Sequence, residues 1–281
     1  MESNYISSAA RFAMAICAIA VSLTTSALPA QGQSSDAELA KAARNPIADL
    51  VSVPLENDFY FRTGANHATV YVLNIQPVIP FHLGNDWNLI TRTILPVVSA
   101  PALAPGMGGV TGIGDLNPTM FLSPKSNAEW IWGIGPTFTL PTASDRRLGA
   151  GEWSAGPALG LVYSSGAWVI GGIANNQWSF AGWGNGGGNA MSVQPSITYT
   201  FNDGWYLTSG PTITSNWDSG SANRWSVPVG GGLGKAINLD KTSFALQLQS
   251  FYFAQKPQFD PNWQLSLTLQ LLFPETSLSS P

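Results

Sequence analysis

Residues 262–273 read NWQLSLTLQLLF. From Trp263 onward every second residue is large and apolar: Trp263, Leu265, Leu267, Leu269, Leu271 and Phe273. Gln264, Ser266, Thr268 and Gln270 take the alternate positions, followed by Leu272. Side chains of a β-strand alternate between its faces, so this is a strand with one apolar face and one polar, uncharged face. The stretch from Trp263 to Phe273 has the length, about 9–11 residues, that a tilted strand needs to cross a bilayer. Its aromatic ends fall where interfacial girdles form, and its leucine face meets lipid.

The same alternation recurs. In 190–202, Met191, Val193, Pro195, Ile197, Tyr199 and Phe201 oppose Ser192, Gln194, Ser196, Thr198 and Thr200. In 129–140, Trp130, Trp132, Ile134, Pro136, Phe138 and Leu140 share a face, and in 242–250 Phe244, Leu246 and Leu248 do so. A soluble sandwich also alternates, but its outer face carries Lys, Glu and Arg. Here only 10% of 281 residues are charged, against about a quarter in soluble domains. Mean hydropathy is only +0.08, which excludes a bundle of apolar helices. Few charges, 29 glycines and 11 tryptophans fit a sheet that is wet on one face and in lipid on the other.

About twelve such segments follow: 50–62, 67–82, 86–98, 114–124, 128–141, 152–164, 166–180, 190–202, 203–216, 224–237, 240–254 and 261–273. Short turns, such as Ser164-Ser165-Gly166 and Asn202-Asp203-Gly204, alternate with longer loops near 99–113, 142–151, 181–189, 217–223 and 255–260. This predicts an all-β fold: an antiparallel transmembrane β-barrel over residues 50–273, with an even strand count and both termini on the periplasmic side.

Most charges fall in turns or loops. A charge facing lipid at mid-strand costs about 2–4 kcal/mol, so those inside strands are assigned inward. Glu56 and Asp58 share a face with Ser52 and Tyr60, opposite Leu55, Phe59 and Phe61. Arg92 lies between Thr91 and Thr93, and Asp115 lies near a strand end. These four are the candidate lumen or constriction residues. Glu56, Asp58 and Arg92 can form a solute-selecting constriction or an internal salt bridge. Prolines sit inside most segments, in repeated contexts such as Gln76-Pro77, Gly135-Pro136, Gln194-Pro195 and Gly210-Pro211. Each removes a ladder donor, which reads as an internal strand repeat with bulges.

The first 30 residues read as a cleavable signal peptide: Arg11, an apolar stretch from Phe12 to Leu23, then Ala27-Leu28-Pro29-Ala30. Serines and threonines interrupt it before the ~20 residues of a spanning helix. The one cysteine, Cys17, lies within it, so the mature chain has no thiol chemistry. Ser35 to Arg44 predicts a short helix in a periplasmic or plug segment, 31–49, with Ser35 or Asp36 as cap and Pro46 after its end. Residues 274–281 form a tail.

Several stretches carry a resemblance: Asn45-Pro46-Ile47-Ala48-Asp49-Leu50, Asn74-Ile75-Gln76-Pro77-Val78-Ile79-Pro80 followed by Asp86-Trp87-Asn88, and Gly112-Ile113-Gly114-Asp115 leading to Phe121-Leu122-Ser123-Pro124. Over residues 45–273 the chain resembles the bacterial outer-membrane barrels labelled "MetA-pathway of phenol degradation", whose members are also called transporters or, misleadingly, neuromedin U. The resemblance implies a Gram-negative outer-membrane barrel for uptake of aromatic or other small compounds. It brings no catalytic or ligand residues. The tail after Phe273 departs from the terminal aromatic of such barrels.

The remaining motifs point away from catalysis. His67, with Thr69 nearby, and His82 lack the constellation of a serine hydrolase, and no His, Asp and Glu set has metal-ligand spacing. The glycine-rich stretches at 106–115 and 182–189 read as outer loops rather than phosphate cradles. A net charge of −4 gives no reason to expect nucleic acid. Trp87, Trp130, Trp153, Trp168, Trp205, Trp225 and Trp263 read as an interfacial girdle; Trp178, Trp183 and Trp217, near the outer loops, are the candidate ligand contacts. The expected function is passive passage of small, hydrophobic or aromatic molecules, with no cofactor, no metal and no enzymatic activity. The expected partners are the outer-membrane bilayer, the solute and, during biogenesis, the barrel-assembly machinery. The alternatives are a non-conducting structural or surface-interaction barrel and an outer-membrane hydrolase.

Overall fold

The computed structural model describes residues 40, 41, 43, 45, 47–126, 128–183, 188–201, 203–239 and 242–273. Fifteen strand segments join in one sheet: β1 (Val51–Thr63), β2 (Ala68–Ile75), β3 (Val78–Leu83), β4 (Trp87–Ala100), β5 (Val110–Ile113), β6 (Asn117–Pro124), β7 (Trp130–Thr139), β8 (Glu152–Ser165), β9 (Trp168–Gly182), β10 (Asn189–Thr200), β11 (Trp205–Ser209), β12 (Ile213–Asn216), β13 (Trp225–Leu239), β14 (Thr242–Gln255) and β15 (Trp263–Phe273). β2 and β3, β5 and β6, and β11 and β12 are each one crossing, interrupted by a few residues. Twelve antiparallel crossings remain. The first pairs with the last, from Val51 opposite Phe273 to Phe61 opposite Trp263, which closes the barrel.

Polarity is inverted relative to a soluble protein. On β15, Ser266, Thr268 and Gln270 are 2%, 6% and 5% exposed, whereas Trp263 is 48% exposed. Leu248 on β14, Leu233 on β13, Leu159 and Leu161 on β8 and Ile134 on β7 are likewise outward and exposed. A continuous apolar belt of this kind is stable only against hydrocarbon. Among the described residues no helix is long and apolar enough to cross a membrane; the strands make the crossing.

Two aromatic girdles bound the belt. At the short-turn end, Trp87 packs edge-on against Trp132, Trp130 against Tyr163 and Trp168 against Tyr199. At the long-loop end, Trp217 packs against Trp225 and Tyr252 against Trp263. The turn Gly166-Ala167 shows how tightly the short end is drawn: two residues join β8 to β9, and Gly166 supplies the left-handed φ of +55 that such hairpins favour.

Several in-strand prolines, among them Pro136, Pro157 and Pro195, sit around mid-barrel, where the interruptions also lie. Pro136 faces Pro157 directly, so the missing donors fall together. The β10 register is the same on both sides of the 210–212 break, which sets Pro195 against Pro211. Prolyl carbonyls still accept: Gln76 N donates to Pro54 O at 2.9 Å, Thr93 N to Pro77 O at 3.1 Å and Gly114 N to Pro96 O at 2.8 Å. The sheet therefore loosens at its waist without leaving these acceptors unpaired.

The expected signal peptide (1–30), most of the 31–49 segment and the tail (274–281) lie outside the described residues. Of the expected helix, Ala40, Lys41 and Ala43 are described and are helical. Ala40 and Ala43 are buried with Tyr206, Ala236, Ala245 and Leu272 at the short-turn end. The hydroxyl end of Tyr206 lies over Gly234, where a side chain would collide with it.

Leu267→Arg places a charge on the lipid face at mid-strand, and we expect it to lower folding stability in bilayers by about 2–4 kcal/mol. Gln270→Arg, on the inward face of the same strand, should cost much less. Urea titration of vesicle-refolded protein, read by gel mobility, compares the two.

Candidate functional site

Among the described residues the inward faces line an outer and an inner cavity. The outer, about 670 Å³, opens toward the long loops; the inner, about 140 Å³, lies toward the short-turn end. Glu56, Gln76, Arg92 and Gln194 border both and divide the lumen. Arg92 Nη2 donates to Gln76 Oε1 at 2.7 Å and to Gln194 Oε1 at 3.4 Å. Gln76 Nε2 donates to Glu56 Oε2 at 2.6 Å, and Ser266 Oγ donates to Glu56 Oε1 at 3.3 Å. Arg92 and Glu56 are thus joined through an amide rather than by a direct ion pair. Each charge keeps charge-assisted hydrogen bonds, and neither is cancelled in contact.

The strand break places Gln76. It lies in the gap between β2 and β3, is almost fully buried, and its side chain spans β1 and β4. Asp58, one step outward on β1, is also buried and accepts from Gln264 Nε2 at 2.9 Å and Asn74 Nδ2 at 3.1 Å. Tyr60, Arg147 and Asp260 complete the charged or ionisable lining of the outer cavity. Arg147 is neutralised by Asp145: Nε donates to Oδ1 at 2.9 Å and Nη2 to Oδ2 at 2.8 Å, which holds the Asp145 carboxyl well below its ordinary range. Burial pushes the Asp260 carboxyl up, against the opposing pull of Lys256 and a hydrogen bond from Ser226.

The other sequence-selected residues lie elsewhere. Asp115 lines neither cavity. Its Oδ1 accepts from Ala143 N at 3.1 Å and its Oδ2 from Ala150 N at 2.7 Å, bracing the loop after β7. Trp178 stands on the outward face of β9 and is half exposed. Trp217 packs edge-on against Trp225 and donates from Nε1 to Asn176 Oδ1 at 2.8 Å. Trp183 lies against Gly151 in the loops. None of the three lines a cavity; Trp178 and Trp217 extend the long-loop girdle.

The floor of the lumen is apolar. Ile47 is buried among Val78, Ile90, Phe121, Val162 and Ile173. Asp49 ties this segment to the wall: its Oδ1 lies 3.1 Å from His82 Nε2, and its Oδ2 accepts from Asn88 Nδ2 at 2.9 Å. His82 thus faces a carboxylate, and no hydrogen bond joins His67 to Thr69. Among the described residues no group of three His, Cys, Asp or Glu side chains converges as a metal site would require.

No family model matches the chain, and no curated protein matches it. Among solved structures it is similar to the COG4313 outer membrane channel from Pseudomonas putida F1: 20% identity, TM-score 0.59, covering 80% of this chain and 94% of that one. It is also similar to the NanC porin, at 10% identity and TM-score 0.50, covering 79% and 99%. These likenesses establish the barrel fold. Phospholipase A from Escherichia coli, at 13% identity and TM-score 0.44 over 86% and 99%, is too distant to bear on activity.

Asp115→Ala should free the 142–151 loop without disturbing the barrel. We expect trypsin to cut after Arg146 or Arg147 several-fold faster in this variant, with an unchanged urea midpoint.

Proposed function

We propose that the chain is an outer-membrane channel for passive passage of small solutes. The observation that carries this reading is a polar lumen running between the girdles, narrowed where Glu56, Gln76, Arg92 and Gln194 meet. Amide and hydroxyl side chains dominate it, and they exchange hydrogen bonds with a passing solute at little net cost. The upper wall adds an apolar patch of Val70, Ile94, Val98, Leu103, Leu148 and Phe253. Together these surfaces suit amphipathic molecules, with an apolar body and hydrogen-bonding groups, better than plain hydrocarbons. Phenolic compounds, which the family resemblance implies, are of this kind. No nucleotide-binding motif supplies energy, so the solute's own gradient drives transport. The short-turn end is assigned to the periplasm, and the chain at Ala40, Ala43, Asn45 and Ile47 is the barrier a solute must displace there.

The test is single-channel conductance of the detergent-refolded mature protein in a planar bilayer. Discrete steps, modulated by added phenol, are expected. Silence from protein shown to be folded and inserted would contradict the reading. Glu56, Asp58 and Asp260 outnumber Arg92 once Arg147 is paired, so a preference for cations is expected. Arg92→Ala should strengthen it, and Glu56→Gln with Asp58→Asn, which leaves Asp260 balanced by Arg92, should abolish it.

The preference should also depend on pH. Asp260 has a raised pKa, so it stays neutral below the ordinary carboxylate value of ~3.9 and ionises only above it. Cation selectivity should therefore grow as pH rises through that window, and Asp260→Asn should remove this component. The same raised pKa means that ionisation costs the folded state a little stability over that rise. Reversal potentials across a salt gradient, measured between pH 3 and 8, would check the sign.

A further inference from the structure

The inner cavity is a chamber in its own right. Its ceiling is the Glu56–Gln76–Arg92–Gln194 divide and its floor is the segment at Ala43 and Asn45. Between them the wall offers Gln247, Gln249, Gln270, Ser196, Thr208 and Thr268, none of them charged. Two of its polar atoms have no hydrogen-bond partner among the described residues: Gln249 Nε2 and Ser196 Oγ. Gln249 is 95% buried, and its Oε1 is already engaged by Gln247 Nε2. A buried amide donor left unmade is costly, so in this cavity it is met by water or by a guest that replaces water.

Size narrows what that partner is. A cavity of about 150 Å³ accommodates one benzene ring, and this chamber measures about 140 Å³. An apolar lining of that size stays dry and takes benzene. This lining sets amides and hydroxyls beside Pro54, Val78 and Ile173, so a guest without hydrogen-bonding groups would displace water and leave amides unpaired. We infer that the chamber is a binding site for one small neutral molecule, about a single six-membered ring in size and bearing at least one hydroxyl. Gln249 and Ser196 supply its hydrogen bonds. The inference deepens the channel reading and rests on it for the route by which the guest arrives. The site holds a solute that has passed the Arg92 divide while Ala43 and Asn45 still close the way out.

Phenol and benzene differ by one hydroxyl, which makes them the probes. Equilibrium dialysis of each radiolabelled compound against detergent-folded mature protein measures binding without relying on conduction. Phenol should bind at least tenfold more tightly than benzene. Gln249→Met should weaken phenol binding about three- to tenfold, as expected for one neutral hydrogen bond. Ser196→Ala gives a second reading should Gln249→Met fail to fold, with gel mobility reporting folding. Asp58→Asn, in the outer cavity, should leave phenol affinity within twofold. Benzene binding as well as phenol, no retention of phenol, or an affinity that follows Asp58 rather than Gln249 would each overturn the chamber site. Phenol binding by a protein that never conducts would support the site and sink the channel reading. Conduction without phenol retention would do the reverse.

Discussion

An unpaired backbone amide in hydrocarbon costs several kcal/mol, and a strand at an open sheet edge would expose a row of them. The pairing of β1 with β15 removes that edge, and everything else in the molecule depends on it. Once the sheet is closed, alternation has only one consistent solution. Leucines and aromatics face the lipid, and the residues between them must make an interior. With serine, threonine, glutamine and glycine in those positions, the interior is polar without being strongly charged. The few charges present then act on a lumen that has little else to define its selectivity.

The waist of the barrel links this constraint to function. Prolines withhold donors, so a regular ladder cannot run unbroken through mid-barrel. The chain uses the irregularity. The break at Gln76-Pro77 sets Gln76 between Glu56 and Arg92, and Gln194, next to Pro195, reaches the same guanidinium from the other side. The loosened belt of the sheet and the narrowing of the lumen are therefore one feature. Beyond the inner cavity beneath it the interior turns apolar, and Ile47 with helical Ala40 and Ala43 fills the end that the short turns surround.

Much of the barrel was legible in the sequence because its signal is redundant. Each crossing carries its own alternation, and 262–273 shows it without interruption. The inward direction of Glu56 and Asp58 followed from the same phase. Other features were not legible. An inward glutamine looks the same whether it lines a wall or bridges two charges. The Gln-Pro repeats at 76–77 and 194–195 were visible as a pattern, yet their convergence on Arg92 comes from closure of the sheet. Asp115 bonds backbone amides of a loop folded over it, and no spacing encodes that contact. Trp178 and Trp217 lie near the long loops in sequence, but strand phase turns Trp178 outward, and edge packing on Trp225 with a hydrogen bond to Asn176 holds Trp217 in the wall. Proximity to a loop does not say which side of the wall a side chain takes.

The inversion of polarity across the wall is open to direct measurement. Cys17 is the one cysteine of the chain, so protein expressed from residue 31 gives a thiol-free background for single cysteines at positions 264 to 271 of β15. Each is labelled with a bimane fluorophore, folded into vesicles and exposed to brominated lipid. Quenching should alternate with period two, strong at 265, 267, 269 and 271 and weak at 264, 266, 268 and 270. Quenching that is uniform along the strand, or strong at the even positions, would contradict a polar lumen enclosed by a lipid-facing apolar wall.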